Sequence, residues 1–560
     1  MKKMIMPIAV LLAAFMLLSA CGAPSAKTES VQPGTKPQSS AAVPAQAETL
    51  APAESEQVPA VSLTEEELRK FTELFATREY NGFLAEGFRD AEDIGWSAVL
   101  RDGGGIAVTE VSEEEIAEYL KATGQGKLYA DLYVLRQSDL LAFAKRHTGT
   151  EHGFEERDLP DWDYIPENDS FYRLHWYDEG MVFECISGEK AGDVYTLRFR
   201  VSESSPGVDP RSHTGTSADR VLTMKETAEG YVLLSNAIQW DDGCDMAQSF
   251  DVEMPQYDGL VRFLTYPDPE ETTFVLTKGG KLLTELSAWV STGFDNYLTA
   301  VAAVSFFDFD ADGRTDILVI GDSNDGRHAL LYQAVTDGSE YVWFADLDEA
   351  KAKQIGGDMT VAGIRQALTG GQTPANWQDA YAQIAKLYQL ASDEYRYDLI
   401  YADGDDIPEL VADLGGYGMT LFTWENSHTR CLMNHWGYGA MGNHGYSYAP
   451  GKGLYYNSNA DYAGAILYEY YMSKHEEGEI TTDYWVRHNN FNDADGDGEP
   501  SQEELETYGY VEGTSEYHSN LNPGMPQEGI RAMVELYESY DWQFLTGTLD
   551  VPALFAQLGK

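Results

Sequence analysis

The chain has 560 residues, of which 92 are acidic and 38 basic, and its formal net charge is −54. Such a charge repels the phosphates of nucleic acids, which proteins neutralise with Lys and Arg, so nucleic-acid binding is excluded as a function. Hydrophobic residues make up 43% of the chain and 35 residues are tyrosines, which excludes general disorder and, at this length, predicts more than one domain.

The first residues have the pattern of a bacterial lipoprotein signal. Lys2 and Lys3 precede an apolar segment at 5–18, and the sequence LSAC follows and ends at Cys21. This pattern predicts a signal peptide at 1–20, a lipid on Cys21, and a protein attached to the cell membrane at its extracytoplasmic face. The alternative is an ordinary secretory signal, or a short signal anchor, in which the cysteine is coincidental.

A flexible tether and an α+β domain are predicted next. Residues 21–62 are rich in Pro, Ala, Ser and Glu and contain no aromatic residue, which is typical of a linker. In the region 63–255, helical patterns come first, in LTEEELRKFTELFA, SEEEIAEYLKATG and SDLLAFAKRHTG. Short aromatic and β-branched runs come after them, in FYRLHWY, MVFECISG, DVYTLRFRV and GYVLLSNAI, and indicate antiparallel strands.

Two β-rich modules with intervening helices are predicted at 256–370 and 371–560. A helix is expected in TVAGIRQAL and another in TPANWQDAYAQIAKLYQL, opened by its Thr-Pro pair, and further helices near 530–537 and 551–558. Two segments repeat each other at a spacing of 93 residues, with Asp308 aligned on Tyr401 and Asp316 on Glu409. The predicted fold class is therefore multidomain α+β, with a helix-plus-antiparallel-sheet domain followed by two related β modules.

The first copy of the repeat, loop 1 (residues 308–316), has the spacing of a calcium loop. Calcium takes six to eight oxygen ligands, and carboxylates at alternate positions converge on one point when a glycine at position 6 permits the turn. The predicted ligands are Asp308, Asp310, Asp312 and Asp316, with Gly313 at position 6. The alternative is an acidic β-turn that binds no ion.

The second copy, loop 2 (residues 401–409), is degenerate. Tyr401 stands at the first ligand position and Asp406 at the glycine position, which leaves Asp403, Asp405 and Glu409 as oxygen donors. We expect weak calcium binding here or none, and a hydrogen-bonded turn without metal is an equal alternative.

Loop 3 (residues 493–504) carries the ligand order of an EF-hand. The predicted ligands are Asp493, Asp495, Asp497, Glu499 through its backbone carbonyl, Ser501 directly or through water, and Glu504 in bidentate mode. Pro500 stands at position 8, where a paired EF-hand uses its backbone N–H, and the flanking sequences lack convincing helical faces. We therefore expect a single calcium loop outside an EF-hand pair, with a solvated acidic turn as the alternative.

Catalytic and zinc motifs are not recognisable in the chain. The Gly-Asp-Ser sequence at 321–323 is interpreted as the start of a hairpin turn, with an esterase nucleophile at Ser323 as the alternative. Besides Cys21 there are Cys185, Cys244 and Cys431, an odd number that allows at most one intramolecular disulfide, and spacing alone does not assign it. Paired glycosidase carboxylates are not readable among 92 acidic residues.

The sequence resembles a family of uncharacterised lipoproteins of Gram-positive anaerobes, and loop 1 resembles the calcium loops of FG-GAP and integrin-type β repeats. The segments that carry the family resemblance include DWDYIPENDSFYRLHWY, DADGRTDILVI, ANWQDAYAQIAKLY and NADYAGAILYEYYM, and they cover most of the chain beyond residue 62. In that family the segment matching DGDDIPELV implies a calcium-type loop, from which this chain departs at Tyr401 and Asp406. The resemblance implies location and architecture, and no activity.

The sequence as a whole predicts a cell-surface lipoprotein that binds calcium and is not an enzyme. Its calcium would be structural, and its partners would be the membrane, through the N-terminal lipid, and a surface protein or polysaccharide. The alternative function is a surface hydrolase of cell-wall glycan or peptide in which calcium serves only as a brace.

Overall fold

Helix caps and strand patterns of the sequence produce a chain of antiparallel sheets with helices between them. The computed structural model describes residues 59–560 apart from 124, 176–180, 203–217, 270, 292–295, 336–340, 440–442, 476–478, 495, 497, 507, 509–512 and 523. Within the described residues, no helix is long and apolar enough to cross a membrane. The predicted signal peptide, Cys21 and most of the linker lie outside this description.

In the N-terminal region most helices precede most strands, as predicted, but the strand Asp131–Arg136 comes before the helix Gln137–Thr148. Thr64 caps the first helix in a capping box with Glu67, and Gly149 ends the fifth helix in the left-handed conformation. The helices are Glu65–Phe75 (α1), Arg78–Asn81 (α2), Trp96–Val99 (α3), Glu113–Thr123 (α4) and Gln137–Thr148 (α5). The first strands are Val61–Ser62 (β1), Asp131–Arg136 (β2), Asp163–Ile165 (β3) and Ser170–His175 (β4).

Two sheets belong to this region. β2, β4 and β3 form a three-stranded sheet in that order. The larger sheet has the order β1-β5-β6-β7-β8, so the last two residues of the predicted linker form its edge strand. Its other strands are Phe183–Ala191 (β5), Val194–Val201 (β6), Arg220–Thr227 (β7) and Gly230–Ile238 (β8), and α1 and α5 pack on it through Phe71, Phe75 and Phe143.

His147, at the end of α5, is expected to give this region a pH-dependent stability. Its imidazole is fully buried, and burial together with Arg146 lowers its pKa to about 4. Because the unfolded chain binds a proton near pH 6.5 and the folded chain only near pH 4, the free energy of unfolding falls as the pH is lowered between these values, by up to about 3 kcal/mol. His147→Leu should flatten this dependence, which urea unfolding at pH 4.5 and pH 7 measures. An unchanged dependence in the variant would contradict the assignment.

The next sheet spans the predicted boundary at residue 255. Its order is β12-β11-β10-β9, and β9 pairs with β10 across a turn that contains residue 255. These strands therefore lie together in one sheet, on both sides of the predicted boundary. The strands are Phe250–Met254 (β9), Gly259–Tyr266 (β10), Thr273–Lys278 (β11) and Lys281–Ser287 (β12).

The predicted internal repeat is present as two four-stranded antiparallel sheets. The first consists, in order, of Ala300–Phe307 (β13), Asp316–Ser323 (β14), Gly326–Ala334 (β15) and Tyr341–Leu347 (β16). The second consists of Arg396–Ile400 (β17), Glu409–Asp413 (β18), Gly418–Glu425 (β19) and His428–Gly437 (β20). The gap before each second strand is bounded by Phe307 and Asp316 in one copy and by Ile400 and Glu409 in the other, again 93 residues apart.

Three helices separate the two repeat sheets, and a six-stranded sheet comes after them. The helices are Glu349–Gln354 (α6), Val361–Thr369 (α7) and Trp377–Ala391 (α8); α8 begins after Asn376, whose side chain caps it, rather than at the predicted Thr-Pro pair. The last sheet has the order β25-β24-β23-β22-β21-β26. Its strands are Tyr446–Ala449 (β21), Leu454–Asp461 (β22), Ile466–Lys474 (β23), Ile480–Asn489 (β24), Thr514–Ser519 (β25) and Gln543–Phe544 (β26). The remaining helices are Gln502–Leu505 (α9), Gln527–Glu538 (α10) and Val551–Leu558 (α11).

The layers pack in the order of the chain. The β9–β12 sheet packs on one face of the β13–β16 sheet, and helices α7 and α8 pack on its other face. Residues of α8 also pack on one face of the β17–β20 sheet, whose opposite face packs on the six-stranded sheet. Strand β14 is thus covered on both sides, which explains its uninterrupted run of apolar residues.

Candidate functional site

Loop 1 joins β13 to β14 and is held by its own first aspartate. The Asp308 carboxylate accepts the N–H of Ala311 at 2.6 Å through Oδ1 and the N–H of Gly313 at 2.9 Å through Oδ2. Ala311 and Gly313 have φ values of 66° and 83°, so both lie in the left-handed region, which glycine adopts without strain. The turn that the glycine was expected to permit is therefore formed.

Three of the four predicted ligands in loop 1 are brought together. Asp308, Asp310 and Asp316 each offer a carboxylate oxygen, and these oxygens lie within 4.8 Å of one another. Oxygens bound to one calcium ion at 2.3–2.6 Å are at most about 5 Å apart, so this spacing fits the ion. The fourth, Asp312, is directed elsewhere, because its carboxylate forms an ion pair with the Arg314 guanidinium at 2.8 Å. Asp312 as a ligand stays a prediction.

The carboxylates of loop 1 are crowded as well as buried. Asp316 is fully buried and Asp310 is 2% exposed. Burial raises the pKa of both well above the usual range of a carboxyl, and the negative charges of the neighbouring aspartates raise it further. Buried like charges destabilise a fold unless a cation or a proton compensates them. The donor set therefore fits a hard divalent cation.

Loop 1 is also enclosed by distant parts of the chain. Gln333 of β15 donates to Asp310 Oδ2 at 2.6 Å, and Gln383 of α8 donates to the Phe309 carbonyl at 2.9 Å. Thr429 of β20 donates twice, from its N–H to the Ala311 carbonyl and from its hydroxyl to the Asp310 carbonyl, each at 2.8 Å. Loop 1 thus lies where the second repeat docks on the first. Sequence reasoning did not find these supporting residues.

Loop 3 repeats the local geometry of loop 1. Asp493 accepts the N–H of Gly496 at 2.8 Å and the N–H of Gly498 at 3.1 Å, three and five residues ahead, as Asp308 does. Gly496 and Gly498 both have a φ of 76°, matching the two left-handed positions of loop 1. The predicted ligands Asp495 and Asp497 lie outside the described residues.

The last acidic residue closes loop 3. Glu504 is 6% exposed and accepts the Ala494 N–H at 2.6 Å, in the way that Asp316 accepts the Phe309 N–H at 2.8 Å. Ser501 caps α9 and donates its hydroxyl to Glu504 at 2.7 Å. The Glu499 side chain accepts from the Tyr462 hydroxyl at 3.1 Å, so its carboxylate is engaged outside the loop, in agreement with a backbone role.

The scaffold of loop 3 is not an EF-hand. Strand β24 precedes the loop, and the four-residue helix α9 comes after it, whereas an EF-hand has a long helix on each side. The absence of convincing helical faces in the sequence agrees with this arrangement. The Arg487 guanidinium of β24 instead contacts the Gly498 carbonyl.

Loop 2 keeps only part of the arrangement of loop 1. Glu409 Oε2 accepts the Ala402 N–H at 2.8 Å, which corresponds to the Asp316 bond, and burial raises the pKa of Glu409 to about 7. Asp403 forms an ion pair with Lys474 at 2.9 Å, where loop 1 has the neutral Gln333. Tyr401 is 55% exposed, and oxygens of Asp403, Asp405 and Glu409 lie within 4.8 Å of one another. The lysine supplies a positive charge beside this loop, so weak calcium binding or none stays the prediction.

The remaining predicted groups are separate from the loops. Within the described part of the chain, Cys185, Cys244 and Cys431 form no disulfide with one another. Ser323 pairs with Gly326 in the hairpin between β14 and β15, in the turn expected for the Gly-Asp-Ser sequence.

Comparisons with known proteins give no family for this chain. No family model matches it, and no curated protein matches it. A crystal structure of a protein from Lactobacillus plantarum aligns with 68% of this chain and 94% of its own chain, at 8% sequence identity and a TM-score of 0.15. Such a low score carries no argument about fold or function, so a function for this chain rests on its own sequence and on the geometry of its loops.

Proposed function

We propose that the protein is an extracytoplasmic lipoprotein, anchored to the cell membrane through Cys21, that binds calcium at loops 1 and 3. It acts as a noncatalytic binding or scaffold protein for a surface protein or polysaccharide. The LSAC sequence supports the anchor. The two loops support the calcium.

The observation that carries the calcium proposal is the shared geometry of loops 1 and 3. Two segments about 180 residues apart place the first aspartate on the amides three and five residues ahead, and both put left-handed residues at those positions. Each loop is closed by a buried carboxylate on the amide after the first aspartate. This arrangement holds carboxylate oxygens in fixed positions in two separate loops, as a calcium site needs, and in that way it supports the calcium proposal.

The chain's own residues hold and orient the oxygens. The carboxylates of Asp310 and Asp316 are buried in loop 1, and the backbone amides that donate to them hold their orientation. Calcium, when bound, supplies the positive charge that these groups lack. Binding then stabilises the folded state by mass action, by about 2.7 kcal/mol at a free concentration one hundred times the Kd.

Calorimetric titration of the purified, chelator-treated protein with calcium is expected to show two sites, one for loop 1 and one for loop 3. Asp316→Asn should remove one site and Glu504→Gln the other, because each replaces a charged ligand with a neutral one. Magnesium under the same conditions is the comparison, since the smaller ion demands a stricter octahedron. A titration without heat, combined with an unchanged melting temperature, would refute the proposal.

The alternative hydrolase function has one observation in its favour. A cavity of about 370 Å³ between β8 and the β9–β12 sheet is lined by three carboxylates, those of Asp241, Asp242 and Asp251. Asp241 forms an ion pair with Arg262 at 2.5 Å and Asp242 another with Arg198. Two of the three carboxylates are therefore engaged, and the binding function is the better supported of the two. Release of reducing ends from cell-wall glycan, lost in Asp251→Asn, would reverse this preference.

A further inference from the structure

A cavity of about 160 Å³ in the N-terminal region, away from all three loops, gathers groups of opposite charge. It is lined by α2 and the turn after it, by α3, by the end of β4 and by residues 181 and 182, which come just before β5. Its polar side chains are Arg78, Asn81, Asp102 and His175. Its apolar wall consists of Ala76, Ala98, Val99 and Met181.

Asp102 is the unexplained group in this cavity. Its Oδ1 atom is buried and accepts no hydrogen bond from any residue that the structure describes. Asp102 precedes a short 3-10 turn at Gly103–Gly105, yet its side chain does not cap that turn. Asp102 as a whole is only partly buried, but a buried carboxylate oxygen without a donor is costly, and a ligand or a water that donates to this carboxylate would offset that cost.

A positive charge faces the same space. The Arg78 guanidinium lines the cavity, and among the described residues it donates to the Tyr133 hydroxyl at 3.5 Å, at the limit of a hydrogen bond. The His175 imidazole is stacked on Tyr133, with ring centroids 4.2 Å apart. Burial lowers the pKa of His175; the negative charge of Asp102 raises this pKa, and the positive charge of Arg78 lowers it. Asp102 and Arg78 thus act on one imidazole from the same cavity.

We infer that this cavity binds a small zwitterion, an α-amino acid with a short apolar side chain. The ammonium donates to Asp102, the carboxylate accepts from Arg78, and the side chain lies on the wall formed by Val99 and Met181. The volume of about 160 Å³ admits a molecule the size of alanine. This inference is independent of calcium, and it adds a ligand class to the proposed binding function.

The ligand set tests the charge arrangement without altering the protein. Isothermal titration of the purified protein with glycine, L-alanine and D-alanine is expected to show binding by at least one of them. N-acetylalanine, which lacks the ammonium, and alaninamide, which lacks the carboxylate, should each bind at least tenfold more weakly. Equal binding of either analogue, or no binding of any of the three amino acids at 10 mM, would overturn the inference and leave water as the partner of Asp102.

Variants locate the binding. Asp102→Asn and Arg78→Gln should each weaken amino-acid binding at least tenfold, whereas calcium binding should be unchanged. The matched controls are Asp139→Asn on α5 and Arg69→Gln on α1, both exposed in the same region, and they should bind as the unaltered protein does. Binding that survives both cavity variants would place the ligand elsewhere and overturn the inference. Loss of calcium binding with intact amino-acid binding would instead refute only the function proposed above.

Discussion

Asp310→Asn is expected to stabilise the calcium-free protein and to remove most of the stabilisation that calcium gives. The Asp310 carboxylate is 2% exposed, and the charges of Asp308, Asp312 and Asp316 raise its pKa further than burial alone. An amide of the same shape ends this repulsion while leaving the packing unchanged. Its new N–H₂ group can face Gln333, whose own amide can turn to accept the bond.

The two effects have opposite signs and similar size. Without calcium, we expect the free energy of unfolding of the variant to exceed that of the unaltered protein by about 1 to 3 kcal/mol. This is the usual cost of a poorly compensated buried polar group, which the substitution removes. With calcium, it loses a charged ligand, and a loss of tenfold or more in affinity removes at least about 1.4 kcal/mol of the binding free energy. The lead of the variant in melting temperature should therefore shrink when calcium is added, and it reverses where the lost calcium stabilisation exceeds the gain.

Asp405→Asn is the control for this substitution. Asp405 lies in the corresponding loop of the second repeat and is exposed, so the change should leave the melting temperature within experimental error with and without calcium. Differential scanning calorimetry of the three proteins, each in millimolar calcium and in chelator, measures the melting temperatures to be compared. If calcium stabilises Asp310→Asn as much as the unaltered protein, loop 1 does not hold the ion.

The turn geometry of loops 1 and 3 could be predicted from sequence because its information is local. Ligands at alternate positions, a glycine at position 6 and a strand directly afterwards lie within nine residues in loop 1, and its hydrogen bonds are formed within the same segment. The repeat was detectable for the same reason, since Asp316 and Glu409 both begin strands. Helices with capping residues, such as α1 and α11, follow the same local rules.

The features that sequence reasoning missed depend on contacts between distant segments. Gln333 and Lys474 occupy corresponding places beside the two repeat loops, one neutral and one charged, but they come from strands of different sheets. Asp312 has the spacing of a ligand, yet its carboxylate forms an ion pair with Arg314, two residues away. The layered packing, in which α8 separates the two repeat sheets, is likewise a tertiary property that no periodicity encodes.

The same distant contacts give the second large prediction, at the junction of the two repeats. Thr429 is 3% exposed, and its hydroxyl and N–H bond the backbone of loop 1 at Asp310 and Ala311. Thr429→Val keeps the shape but leaves the Asp310 carbonyl without this donor, so we expect a loss of about 1 to 3 kcal/mol in the free energy of unfolding. Because loop 1 is then less well held, its calcium affinity should fall as well.

Thr423 on the neighbouring strand β19 provides the matched control for this substitution. It is also buried, at 1% exposure, but its hydroxyl has no hydrogen-bond partner among the described residues. Thr423→Val therefore replaces an unsatisfied polar group with a methyl group and should be neutral or stabilising, with no change in calcium affinity. Urea unfolding and calcium titration of both variants separate the two cases. Equal destabilisation by both would mean that the junction is held by packing alone, since both substitutions replace a buried threonine hydroxyl and only that of Thr429 bonds loop 1.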